Sequence, residues 1–176
     1  MAAMRAWIGL GANLGDAAGT FAQALDAIDT LPATQVARVS SLYRSAPLDA
    51  QGPDFVNAVA EIETALPPPG LLAQLLAIEA SEGRQRPYRN APRALDLDLL
   101  LASDAAGPLL VDSPSLVLPH PRMHRRAFVL APLAELDAQL DVPGHGRVAD
   151  LLAACAGQRI ERIGAMPRRR PAAAPR

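Results

Sequence analysis

Apolar and polar positions change period several times along the 176-residue chain. "MRAWIGL" reads as a buried strand, which the glycines of "GLGANLGD" end. Asp16 stands where an N-cap would, and Phe21, Leu25 and Ile28, spaced by four and three, form the apolar stripe of a helix running to about Leu31. Pro32 stops it. "QVARVSSLYRS" alternates as a strand does, a loop with "APLDAQGPD" follows, and "FVNAVAEIET" alternates again. Pro67, Pro68 and Pro69 end that strand and suit the first turn of a helix, "GLLAQLLAIEASEG", with Leu72, Leu75, Ile78 and Glu79 near one side. An arginine-rich loop at 84–93 then leads into "ALDLDLLL".

The order strand, helix, strand, strand, helix, strand predicts an α+β fold, a ferredoxin-like βαββαβ sandwich whose antiparallel sheet carries helices on one face. "RMHRRAFVLAPLAEL", a helix near 148–155 and the short strand "RIERI" extend that core. Length and the apolar half of the composition fit a single domain over 1–164. "AMPRRRPAAAPR", 165–176, has no apolar periodicity and reads as a disordered basic tail.

Composition removes several function classes. No apolar run reaches the roughly 20 residues that span a bilayer, and the N-terminus lacks the pattern of a signal peptide, so no membrane association and a cytoplasmic location are expected. Cys155 is the single cysteine, which leaves no disulfide framework or thiolate zinc site; it reads as a small buried hydrophobe on a C-terminal helix. Formal net charge is −1, yet all 17 basic residues are arginine. Any phosphate chemistry must therefore manage without a P-loop lysine, and Schiff-base chemistry is excluded. Arg84, Arg86, Arg89 and Arg93 precede the aspartates and Arg122, Arg125 and Arg126 follow them, on a body otherwise acidic. Such a local cluster suits a confined anionic ligand better than a long nucleic acid.

"APRALDLDLLL" is the stretch that propensity does not explain, because aspartate favours neither helix nor strand. As a strand it points Leu95, Leu97, Leu99 and Leu101 to one face and Asp96 and Asp98 to the other, their Cα atoms about 6.5 Å apart. Two neighbouring carboxylates match magnesium, which takes one or two protein carboxylates and completes its shell with water and phosphate. An exposed strand face is the bland alternative, since aspartates there need no ligand. Charge favours the metal. ATP brings about four negative charges, two magnesium ions about four positive, and Arg84 and Arg93 offset the aspartates. The loop "GLGANLGD" offers a weaker nucleotide signal: Leu14 stands where a dinucleotide turn needs its third glycine, so a tight turn that uses glycine for its backbone angles accounts for it better.

Four segments, "WIGLGANLGD", "SSLYRSAPLDAQGPDFVNAV", "GRQRPYRNAPRALDLDLLL" and "LPHPRMHRRAFVLAPLAEL", together resemble the 6-hydroxymethyl-7,8-dihydropterin pyrophosphokinase family across nearly the whole domain. The resemblance implies a ferredoxin-like α/β sandwich and transfer of the diphosphoryl group of ATP to the pterin's hydroxymethyl oxygen, releasing AMP, in folate biosynthesis. It implies that Asp96 and Asp98 bind two Mg2+ ions, and that Arg84 and Arg93 reach the phosphates from a mobile loop. Glu79, His120 and Arg126 would be further ATP contacts. Phe55, Asn57 and Phe128 would hold the pterin, with Ser45, Pro47 and Leu48 adding contacts. Taken alone, both phenylalanines read as core and His120 as an ordinary loop residue. The chain departs from the family in having Asn90 and Ala91 where Trp-Gly is common, and Leu76, Ser115 and Val117 where relatives place polar ATP contacts. A monomer with small-molecule substrates and no nucleic-acid partner is expected. Two rival readings remain open to test: an RNA-binding module using the arginine cluster, and a nicotinamide oxidoreductase resting on "GLGANLG" alone.

Overall fold

The computed structural model of the chain describes residues 3–13, 16–46, 54–82 and 95–167. Its centre is the pair formed by β1 (Met4–Asn13) and β4 (Phe55–Thr64), antiparallel along their full length from Met4 opposite Thr64 to Asn13 opposite Phe55. On the far side of β1 lies β5 (Asp96–Asp104), followed by the two-residue β6 (Gly107–Pro108). On the far side of β4 lie β2 (Thr34–Val39) and β3 (Leu42–Ser45), and β3 in turn pairs with β11 (Ile160–Gly164). The result is a seven-stranded antiparallel sheet in which the helix α1 (Ala17–Asp29) connects β1 to β2 and α2 (Pro68–Glu82) connects β4 to β5.

Local chemistry sets these elements as expected from the chain pattern. Asp16 caps α1 by accepting the Gly19 N–H at 3.1 Å, and Phe21, Leu25 and Ile28 are fully buried. The prolines start α2, whose buried stripe is led by Leu71 and Leu75, with Leu72 and Ile78 packed at its margin. These helices cover one sheet face, against Ala6, Ile8 and Leu10 of β1, Val56, Ala58, Ala60 and Ile62 of β4, and Leu95, Leu97 and Leu99.

Three expectations need correction. Helices occupy both faces of the sheet, because α3 (Ala127–Asp137) and α4 (Val148–Ala154) close the second face over Trp7, Val59, Leu100 and Leu101. Residues 35–45 are two strands rather than one, broken at Ser40 and Ser41. The Ser40 hydroxyl accepts the Val59 N–H at 2.9 Å and the Ser41 N–H is taken by Glu135 of α3 at 2.6 Å, so two side chains bend the strand where it reaches its neighbours. Leu101 leaves the leucine row, since pairing with β1 slips between Trp7 and Ile8 and Leu101 crosses to the second face beside Trp7.

Short pairs complete the chain: β7 (Val111–Asp112) with β8 (Val117–Leu118), and β9 (Asp141–Val142) with β10 (Gly146–Arg147). Cys155 is buried at the end of α4, and burial pushes its thiol pKa up, as suits an inert packing residue. No helix among the described residues is long and apolar enough to cross a membrane. The tail beyond 167 lies outside the described residues.

One end of the second face is closed by charge. Glu61 of β4, its side chain 4% exposed, accepts from Arg5 and from Arg38, which also donates to the Leu136 carbonyl at 2.8 Å. Burial alone would raise the Glu61 carboxyl, but the bonds from Arg5 and Arg38 outweigh it and the net shift from 4.5 is downward. A carboxyl lowered on folding adds stability above its unfolded value and loses it as pH falls through the folded one. Glu61→Gln is therefore expected to cost about 1–3 kcal/mol at neutral pH, the worth of hydrogen bonds to a charged group. Thermal melts from pH 7 into acid should show the gap between variant and parent closing below the ordinary carboxylate range; a constant gap would mean that charge at Glu61 is irrelevant.

Candidate functional site

The opposite end of the second face is open, and β5 brings the two aspartates there. Asp96 and Asp98 pair in register with Gly11 and Gly9 of β1, while the alternate leucines sink into the first core and hold the strand down. Asn57 and Val59 flank the same two glycines from β4. Neither glycine ends the strand, and neither has the positive φ that would call for glycine. The tight-turn reading of "GLGANLGD" is thus corrected for Gly9 and Gly11: what these positions supply is a missing side chain. A Cβ on Gly11 would sit 3.4 Å from the Asn57 amide nitrogen and 3.9 Å from Cβ of Asp96, in the space between them.

That space is a cavity of about 290 Å3, floored by Gly9 and Gly11 and lined by Ser45, Phe55, Asn57, Asp96, Asp98, Arg126 and Phe128. Phe55 and Asn57 reach it from one face of β4, as their spacing predicts. Ser45 donates its hydroxyl to Oδ1 of Asn57 at 2.8 Å, both residues being buried. The bond fixes the amide so that its nitrogen, a double donor, remains for a ligand. Phe128 enters from the first turn of α3, with the Arg126 guanidinium 5.5 Å from its ring centroid.

A second cavity of about 360 Å3 lies beyond the outer edge of β5, between α2 and residues 114–121. Leu72, Leu76, Leu116 and Val117 give it an apolar side, and Glu79 and His120 a polar one. Glu79 has a structural role as well: it accepts the N–H of Leu97 at 2.6 Å, at an edge of β5 that no strand among the described residues covers there. The residue between the two aspartates is thereby tied to α2. The His120 backbone donates to the Leu100 carbonyl at 2.8 Å, and its Nδ1 accepts the Arg122 N–H at 3.2 Å. Burial holds the imidazole below its ordinary 6.5; Asp98 opposes this, and Arg126 and Arg122 add to it. A neutral ring whose Nδ1 accepts carries its proton on Nε2, which can then donate to an anion.

Asp96 and Asp98 line both cavities. Of the expected site residues, Ser45, Phe55, Asn57, Arg126 and Phe128 meet in the first cavity and Glu79 and His120 in the second. Arg126 thus lies beside Phe128 while its charge still reaches the His120 imidazole. Arg84, Arg93, Pro47 and Leu48 lie outside the described residues. The paired glycines escaped sequence reasoning, although their two-residue spacing within an alternating strand was the available signal. Among the described residues no group of three or more His, Cys, Asp or Glu is arranged around a metal ion, so a cation here would rely on the carboxylate pair and on what substrates bring. Two oxygen ligands and a phosphate-bearing substrate are a suitable set for a hard divalent ion.

Two cavities thus meet along one pair of carboxylates, an arrangement with room for two ligands on either side of it. The sequence profile of the 7,8-dihydro-6-hydroxymethylpterin-pyrophosphokinase family matches residues 7–138. A 2-amino-4-hydroxy-6-hydroxymethyldihydropteridine pyrophosphokinase of Pseudomonas aeruginosa is 46% identical over 160 residues, 90% of this chain and 96% of that protein. Its counterpart in Haemophilus influenzae is 41% identical, covering 84% of this chain and 90% of that one. The chain belongs to the 7,8-dihydro-6-hydroxymethylpterin-pyrophosphokinase family. Among solved structures, the Plasmodium falciparum HPPK-DHPS protein shares the fold with a TM-score of 0.68 at 11% identity. That match covers 86% of this chain, which spans 44% of the longer protein.

Proposed function

We propose that the protein transfers the diphosphoryl group of ATP to the hydroxymethyl oxygen of 6-hydroxymethyl-7,8-dihydropterin, giving the pterin diphosphate and AMP for folate biosynthesis. The carboxylate pair shared by two cavities is the observation that carries this reading. The smaller cavity suits the heterocycle: Phe55 and Phe128 offer ring faces, and Asn57, held by Ser45, offers its amide to the pterin edge. Pro47 and Leu48 would add to this pocket. ATP lies in the second cavity, its base against Leu72, Leu76 and Val117 and its phosphates directed to the aspartates.

Asp96 and Asp98 hold two Mg2+ ions in this reading; when bound, such ions neutralise phosphate charge and favour in-line displacement. The hydroxymethyl oxygen releases its proton to water and bonds to the β-phosphorus as the bond from that phosphorus to the oxygen kept by AMP breaks. His120 donates from Nε2 to a phosphate oxygen, and Glu79 keeps β5 at its distance from α2. Arg126, Arg84 and Arg93 balance charge on the phosphates, the last two by family resemblance. The sheet order supports a ferredoxin-like core, with β2 and β3 together acting as its second strand. We further infer a single cytoplasmic domain over 1–164, acting as a monomer, with a basic tail at 165–176.

An assay for AMP tests the whole reading. Purified protein with ATP and Mg2+ should release AMP only when the hydroxymethyl pterin is added. AMP release that ignores the pterin, or none under any condition, would overturn it. Salt-sensitive RNA binding without AMP release would favour the binding-module alternative.

A further inference from the structure

Arg126 is a single extended residue, φ −116° and ψ 104°, between a 3-10 turn at Met123–Arg125 and the start of α3. No side chain of its own caps that helix, and the N–H of Ala127 is one of the donors every helix start leaves unpaired. Gln158 takes it. Its Oε1 accepts from Ala127 N at 2.9 Å, and its Nε2 donates to the Arg125 carbonyl at 2.7 Å. One planar group thus grips the backbone on both sides of Arg126. Gln158 is itself half-buried in the turn between α4 and β11, with its N–H bonded to the Cys155 carbonyl at 2.9 Å. It lies outside the 7–138 stretch that the family profile matches. Together with Ser45, Ala127 and Phe128 it lines a small crevice behind the first cavity.

We propose that Gln158 is a positioning residue for the transfer reaction, its amide setting the backbone at Arg126 so that Arg126 and Phe128 enter the cavity together. This rests on the reading of those two side chains as substrate contacts. The task needs a donor and an acceptor on one rigid group, which an amide supplies. A carboxylate keeps the acceptor for Ala127 but faces the Arg125 carbonyl with a second acceptor. The Arg126 N–H bonds the Met123 carbonyl at 3.2 Å and its carbonyl accepts from Val129 and Leu130 at 3.0 Å, so turn and helix hold this residue from within; the Gln158 amide ties its two flanking peptides to the segment before β11 and so fixes how turn and helix are set against the cavity. Pre-set geometry of this kind lowers what ordering the site costs when substrate binds.

Kinetics on the parent and four variants, measured well below the Tm of each, test it. Gln158→Ala should raise KM for both pterin and ATP about three- to tenfold, as loss of two hydrogen bonds implies, with kcat changed less. Gln158→Glu, which keeps shape and one bond, should lie between. Added to an Arg126→Ala, Phe128→Ala background, Gln158→Ala should change KM by less than about twofold, because the residues it acts through are gone. The same factor in both backgrounds would mean general loosening and end the proposal. So would parental KM values in Gln158→Ala or, should that variant not fold, in Gln158→Glu. If the Arg126→Ala, Phe128→Ala protein itself keeps parental KM values, the substrate-contact reading fails and takes the proposal with it. If that protein is impaired while the Gln158 variants are not, only the positioning role is lost.

Discussion

Asp96→Ala and Asp98→Ala are each expected to lower turnover of ATP with the hydroxymethyl pterin by at least about 10²-fold, because metal-borne charge stabilisation contributes several kcal/mol to such transfers. Stability should change little. Both carboxylates are half-buried at the mouth of two cavities, and the strand is anchored by Leu95, Leu97 and Leu99 on its other face and by the Glu79 bond at its edge. The loss should therefore appear in kcat/KM while Tm stays near the parental value, and raising Mg2+ should not restore it fully. Near-normal turnover in folded Asp96→Ala would exclude a mechanism that depends on the pair.

Gly11→Val should cause a loss of similar size on the pterin side alone. The new side chain would start 3.4 Å from the Asn57 amide and fill the space between Asn57 and Asp96. We expect at least about a 10²-fold rise in the pterin KM, since an occupied pocket forfeits most of the ligand's buried contacts. Valine is a good strand residue, so β1 should persist and binding of a non-hydrolysable ATP analogue should be largely kept. Isothermal titration with each ligand separates the two effects. Equal loss of both ligands would show that the sheet itself had been disturbed.

The parts of the fold legible in the chain are those fixed by neighbours in sequence. The cap at Asp16 and the Phe21, Leu25, Ile28 stripe fixed α1, and alternation bounded by a proline run gave β4 its limits, Phe55–Thr64. What stayed hidden depends on partners far along the chain. Ser40 and Ser41 interrupt a strand because Val59 and Glu135 claim their polar groups, and nothing local marks them. Leu101 changes face because β1 imposes a slipped register on β5. Similarly, helices were expected on one face because α3 and α4 follow the core in sequence, where they read as additions; their apolar residues close the second face instead.

The candidate site divides along the same line. The carboxylate pair and the Phe55 and Asn57 pair each lie two apart on one strand, so alternation sufficed to place them. Where Arg126 lies relative to these pairs depends on the turn into α3, whose flanking peptides bond to a glutamine about thirty residues later, which spacing does not reveal. Glu79 was expected as a nucleotide contact through family likeness; its bond to Leu97 could emerge only when α2 was laid beside β5.

A pocket bottomed by bare backbone can lose no atoms through point mutation; any replacement at Gly9 or Gly11 only adds them. On the proposed reading, a side chain added to the floor would exclude the pterin along with an inhibitor, and changes to the walls at Phe55, Asn57 or Phe128 would weaken both. Compounds that press against the floor rather than the rim should consequently leave the fewest routes to resistance.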